Sequence, residues 1–138
     1  MRILGLDPGE KRIGVAITDP LGLTAQGIDV INYSRFEDAV NNIESICREY
    51  EVVKIVVGNP LNMNGSCGQE SENAASFADK LRQRLNIPVE MIDERLTTAS
   101  AEKTLLAGGV NRKNRRKVKD KLAAVIILEL YLNIRQKP

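Results

Sequence analysis

The chain has no histidine and no tryptophan, only two cysteines, and aromatic residues fill just 4% of its 138 positions. Each shortage excludes some chemistry. Without histidine there is no Ser-His or Cys-His nucleophile system and no His-ligated zinc site. Cys47 and Cys67 lack Cys-x-x-Cys spacing. Cys47 falls on the apolar stripe of an expected helix and Cys67 in a Gly/Ser loop, so neither reads as half of a structural disulfide. No apolar run approaches the roughly 20 residues needed to cross a bilayer. The N-terminus opens as a strand, not as a basic stretch before an apolar segment, and so does not read as a signal peptide. The expectation is a cytoplasmic protein with no membrane contact. Any catalysis must run on carboxylates, lysines, backbone groups or a metal held by oxygen ligands, for which Mg²⁺ or Mn²⁺ is the natural choice.

What is present is the composition of one globular domain, 1–138, with 43% hydrophobic and 28% charged residues, enough to build a core. The net charge is only +2, but it is unevenly spread. Arg112, Lys113, Arg115, Arg116, Lys117, Lys119 and Lys121 crowd one stretch against the single acid Asp120, which leaves 13 basic and 17 acidic residues elsewhere, a net −4. A basic block on a mildly acidic body fits a polyanion contact; a solvated helix start is the plainer reading.

Residues 2–7, 12–19 and 22–32 read as three strands joined by Pro/Gly turns, an antiparallel meander. Phe36, Ala39, Val40, Ile43, Ile46, Cys47 and Tyr50 recur at helical spacing. Val52–Gly58 suits a buried parallel strand. Ala74, Phe77, Ala78, Leu81 and Leu85 mark a second helix, and 88–93 a further strand. Thr97 or Thr98 could cap a short helix stopping at Gly108-Gly109. A last helix runs from about residue 113 to 134. The order β-β-β-α-β-α-β-α predicts an α/β or α+β architecture, one mixed five-stranded sheet between helices.

Ligands in such folds sit at the carboxyl ends of parallel strands. Asp7, Gly58 and the pair Asp93-Glu94 all fall at such ends. An Asp before Pro-Gly is ordinary turn chemistry by itself, but a third acid joins it. On a helix Asp120 shares a face with Ala123, Ala124 and Ile127, and two alanines let that face approach the sheet closely. An ion pair of Asp120 with Lys117 or Lys121 is the plain alternative. Three converging carboxylates repel one another and would not all ionise unaided; divalent cations resolve this, and two of them about 4 Å apart clamp a phosphodiester. Nearby cations, Lys11 and Arg12 among them, then read as phosphate or structural partners. Residues 56–69, with Gly58, Pro60, Gly65 and Gly68, form a long loop where backbone could approach a substrate.

These motifs are where a family resemblance enters. Asp7-x-Gly9-x-Lys11-Arg12-Ile13-Gly14, Gly58-x-Pro60-x-x-Met63-x-Gly65, Asp93-Glu94-Arg95-Leu96-Thr97-Thr98 and Asp120-x-x-Ala123-Ala124 follow in order over essentially the whole chain. The chain resembles the YqgF/RuvX family, Holliday junction resolvase-like or pre-16S rRNA nucleases. The resemblance implies a ribonuclease H-like fold and a metal-dependent hydrolase of phosphodiester bonds, an endo- or exonuclease, that matures the 5′ end of 16S rRNA. By kinship to RuvC resolvases it also implies branched DNA as an alternative substrate.

Carried over by motif, Asp7, Glu94 and Asp120 are the catalytic and metal-binding acids. Asp93 and Glu94 point to opposite faces by strand alternation, and Glu94 is taken over Asp93. The substrate-binding set is Lys11, Arg12, Asn59, Arg95, Arg115, Arg116 and Lys117. Asn59 stands where the family has a bulky apolar residue, and the middle strand ends in neutral Gly58-Asn59 where RuvC resolvases carry an acid. The implied partner is pre-rRNA or structured, branched DNA, bound by a monomer or homodimer.

Two rivals stand beside this. Asp-x-Gly after a first strand also opens actin-like and sugar-kinase ATPases, but those need two such domains around the nucleotide. A non-catalytic RNA-binding ribosome-assembly module would fit the basic block equally well. The few aromatics argue against single-strand binding by base stacking.

Overall fold

The computed structural model describes residues 1–60, 68–93 and 112–136, the side chains of 112–117 and 136 excepted. In chain order these form β1 Arg2–Pro8, β2 Arg12–Thr18, β3 Ala25–Asn32, α1 Phe36–Tyr50, β4 Val52–Asn59, α2 Gln69–Arg84, β5 Val89–Asp93 and α3 Arg112–Gln136. The short helix expected to end at Gly108-Gly109 lies outside the described residues.

The strands make one mixed sheet in the order β3-β2-β1-β4-β5. β1, β2 and β3 are antiparallel neighbours, while β4 and β5 run parallel to β1, reached through the crossover helices α1 and α2. Register aligns the carboxyl ends. Leu6 pairs with Val57, Gly58 with Ile92 and Asn59 with Asp93, so β1, β4 and β5 finish on one edge.

Alternation along the strands divides the core in two. Leu4, Leu6, Ile13, Val15 and Ile17 face α1 and α2, meeting Val40, Ile43, Phe77 and Leu81. Ile3, Ala16 and Val56 face α3, meeting Ala124, Ile127, Leu128 and Leu132. A fully buried side chain such as Phe77 or Leu128 contributes about 1.5–3 kcal/mol by leaving water. Cys47 is buried in the first cluster, and burial, with a smaller contribution from the nearby Glu44 charge, pushes its thiol up to about 11. It is a packing residue, as its place on the helical stripe suggests.

β2 and β5 are each one residue shorter than their sequence suggests, and β3 is three residues shorter. β3 begins at Ala25 rather than at residue 22, because Asp19 turns the preceding chain. Its carboxylate accepts the backbone N–H of Leu21 (3.2 Å), Leu23 (2.7 Å) and Thr24 (2.7 Å). Three donors gathered on one carboxylate hold residues 21–24 in a turn that the Asp19 N–H closes onto the Thr24 carbonyl (3.0 Å), so the ladder with β2 starts only at Ala25.

Candidate active site

Asp7 and Asp120 are 113 positions apart in sequence, and β1 and α3 bring both to one cleft. On β1, Asp7 lies opposite Gly14 of β2, so their side-chain directions share a face. A Cβ on Gly14 would collide with the backbone carbonyl oxygen of Asp120, which shows that this face looks at α3. The helix can come so near only because Gly14 has no side chain. Gly5 of β1 does the same further along, where a Cβ would lie 3.0 Å from the Leu128 Cβ and 3.2 Å from the Ala124 carbonyl oxygen. Asp120 is thus pressed against the sheet beside the end of β1, as the Ala123-Ala124 spacing suggests.

Among the described side chains Asp120 pairs across the fold rather than with Lys121 on its own helix; the Lys117 side chain lies outside the described residues. Arg12, at the start of β2, donates from Nε to Asp120 Oδ2 at 2.8 Å. The two side chains keep 36% and 22% of their exposure, so solvent still screens the pair, and its worth to stability is in the range of about 0–1 kcal/mol. Its consequence is positional, since it fixes the carboxylate that α3 carries to the turn following β1.

That turn is itself clamped. Gly9 N–H donates to the Arg12 carbonyl (2.8 Å) and Tyr33 N–H to the Lys11 carbonyl (3.1 Å). The Tyr33 hydroxyl donates to the Gly9 carbonyl at 2.6 Å. Burial, and secondarily the Glu10 charge, raises the Tyr33 phenol above its ordinary range, so the hydroxyl keeps the proton it donates. Lys11 is exposed at the tip of the turn.

The cleft has a volume of about 600 Å³. Four acids, Asp7, Glu10, Glu70 and Asp120, line it together with Lys119. Tyr33, Phe36 and Phe77 form an aromatic wall, and Gln69 and Asn73 bring amides from the first turns of α2. At the adjoining strand end, Asn59 Oδ1 accepts the Ser71 hydroxyl (2.6 Å). Ser71 is buried, so Asn59 ties the end of β4 to α2.

Asp93 ends β5, but alternation sets it on the face of Val89 and Met91, which pack toward α1 and α2. Ile92 takes the α3 face. Asp93 therefore does not share the face of Asp7. Glu94 and Arg95 lie outside the described residues, as do the side chains of Arg115, Arg116 and Lys117, whose backbone belongs to α3. Among the described residues no three acids or thiols gather closely enough to hold a metal ion.

Sequence reasoning missed the aromatic wall and the two further acids. Phe36 and Phe77 sit on helical apolar stripes, where a cleft-lining ring and a core ring look alike. Tyr33, in the link before α1, carried no periodic signal at all.

Comparisons with known proteins bear on this site. Residues 1–134 match the family model RuvX, described as Holliday junction resolvase. A Clostridium acetobutylicum protein named "Putative pre-16S rRNA nuclease" is 48% identical over 133 residues, covering 96% of this chain and 98% of its own length. A protein of the same name from Pelotomaculum thermopropionicum is 52% identical over 139 residues, covering all of this chain and 90% of its own. Among solved structures, Thermus thermophilus RuvC in complex with a Holliday junction substrate superposes with a TM-score of 0.64 at 16% identity, covering 99% of this chain and 97% of that one. Fowlpox virus resolvase with Holliday junction DNA gives 0.61 at 14% identity, covering 99% and 100%. The sheet order and helix placement are those of the ribonuclease H-like fold that these resolvases share.

Proposed function

This chain belongs to the RuvX family, and on that premise we propose that it is a divalent-metal-dependent nuclease that processes the 5′ end of pre-16S rRNA. The observation that carries the reading is the convergence of Asp7 and Asp120 on one cleft at the carboxyl edge of the sheet. The donor set fits a hard cation: carboxylate oxygens, no imidazole anywhere in the chain, and the Cys47 thiol buried elsewhere. Glu94 is proposed as the third ligand, since Asp93 has its side chain on the α1 and α2 side of the sheet.

Bound Mg²⁺ or Mn²⁺ would supply positive charge to the phosphodiester as negative charge builds on its oxygens. The chain's own residues do the positioning. Asp7 is held by the clamped turn, and Asp120 by Arg12 and by its close seat on Gly14. Lys11, Lys119 and the basic start of α3 would contact flanking phosphates. The domain proposed for this work is the single unit 1–138, acting in the cytoplasm; no described helix is long and apolar enough to cross a membrane.

The test is cleavage of a 5′-extended 16S precursor fragment by the purified chain with Mg²⁺, with Mn²⁺ and with chelator. Cleavage that needs the cation and is lost in Asp7→Asn supports the reading. Cation-independent cleavage, or full activity in Asp7→Asn, sinks it. The family model's own description favours a second reading, resolution of four-way DNA junctions. That activity needs two sites in a symmetric dimer, so solution mass with and without junction DNA separates the two readings. Binding of RNA without any cleavage would leave the chain as an assembly module.

A further inference from the structure

We propose that Tyr33, backed by Phe36, is a stacking platform for one unpaired nucleobase of the substrate, seated in the same cleft as Asp7 and Asp120. This deepens the nuclease reading and rests on it.

The chain has only five aromatic residues, three Tyr and two Phe. Three of the five form a continuous stack. Tyr33 and Phe36 have ring centroids 5.8 Å apart at 19°, and Phe36 and Phe77 5.9 Å apart at 24°. Phe77, the inner end, is buried in the core, while Phe36 and Tyr33 are only half-buried. All three line the cleft. The stack therefore leads outward from the core, and Tyr33 is its outermost ring. Low aromatic content argues against base stacking only if the rings are scattered, and here they are gathered.

The position of Tyr33 suits a nucleotide about to be cut. Its hydroxyl and its N–H bond to Gly9 and Lys11, in the turn that follows Asp7, so ring and acid are held by one short piece of chain. A ring fixed in this way stacks without losing further side-chain freedom. Lys80 places its Nζ 4.3 Å from the Phe36 centroid, adding a cation beside the rings. Gln69 donates to Asn73 (3.0 Å), and both amides line the cleft, offering donors and acceptors to the edge of a base.

A base inside a duplex has both faces covered by its neighbours. The platform thus selects nucleic acid with an unpaired or extruded nucleotide next to the phosphate to be cut.

The experiment uses the full chain and an RNA oligonucleotide with a single 2-aminopurine, either unpaired or within a duplex. It is titrated in chelator, with anisotropy reporting binding and 2-aminopurine fluorescence reporting stacking. Wild type should quench the unpaired probe and leave the duplex probe unchanged. Tyr33→Leu should abolish the quench and weaken binding of the unpaired probe by about tenfold, within the range of one lost base–aromatic stack. Tyr33→Phe should retain both, since the ring is what stacks. A bound probe that stays bright in wild type overturns the proposal, and so does Tyr33→Phe behaving like Tyr33→Leu, which would place the role of Tyr33 in the turn alone. Cleavage of the same unpaired oligonucleotide in Mn²⁺ separates the two readings. Cutting without quenching removes the platform and keeps the nuclease, whereas quenching without cutting removes the nuclease and keeps the platform.

Discussion

The backbone carbonyl of Asp120 occupies the space that a side chain on Gly14 would need. It is the tightest of the close approaches, with those at Gly5 and Gly27, that set how deep α3 sits on the sheet, and it lies beside the Asp120 carboxylate. Gly14→Ala should push α3 outward, because the obstructing atom is backbone and cannot rotate away. Overpacking of this kind costs about 1–3 kcal/mol. A lowered melting temperature, with cleavage lost even at temperatures where the variant is still folded, is the expected outcome. An active Gly14→Ala chain of wild-type stability would show that α3 has room to spare.

Arg12 and Asp120 form an ion pair that a purely structural account would treat as one unit. If pairing were the whole role of Asp120, then Arg12→Gln and Asp120→Asn would share one phenotype. A metal-holding Asp120 separates them. Both should cost no more than about 1 kcal/mol in stability, since the pair is partly solvated. Asp120→Asn should abolish cleavage, while Arg12→Gln should retain a reduced rate. Melting curves and initial rates on the two single variants check this.

Much of this geometry was within reach of the sequence, and the exceptions have physical reasons. Asp7 stood out because a strand that alternates cleanly between two buried faces stops on a carboxylate. The antiparallel meander of the first three strands follows from their short turns, which are local properties, whereas the placing of β4 and β5 beside β1 emerges only in the folded sheet. Arg12 and Asp120 pair across 108 positions, and no spacing rule reaches that far. Nothing in the chain marks Gly14 as a seat for a helix, because the need for a missing Cβ arises only once α3 is placed. Residue 22 reads as strand in the sequence because the turn that excludes it depends on which backbone N–H groups one carboxylate, Asp19, can gather.

That same carboxylate predicts a pH dependence. Hydrogen bonds from the backbone of Thr24, with smaller contributions from Leu23 and Leu21, hold Asp19 below the usual carboxylate range against a weaker opposing effect of desolvation. A depressed folded-state pKa contributes stability that is present above the unfolded value and is lost as pH falls through the folded one. Wild type should therefore melt above Asp19→Ala at pH 7, and the gap should close as the pH drops below the ordinary carboxylate value of 3.8. A gap that persists unchanged at low pH would mean that the charge of Asp19 does not hold the turn.

The most direct test of the central claim, that the acids of this cleft hold a divalent cation, is the uptake of Mn²⁺ followed by loss of the free-ion paramagnetic resonance signal. Wild type should bind Mn²⁺, Asp7→Asn and Asp120→Asn should each weaken it by at least about tenfold, equivalent to about 1.4 kcal/mol, and Asp93→Asn should leave it unchanged. Uptake that is the same in wild type, Asp7→Asn and Asp120→Asn would mean that these acids hold no cation.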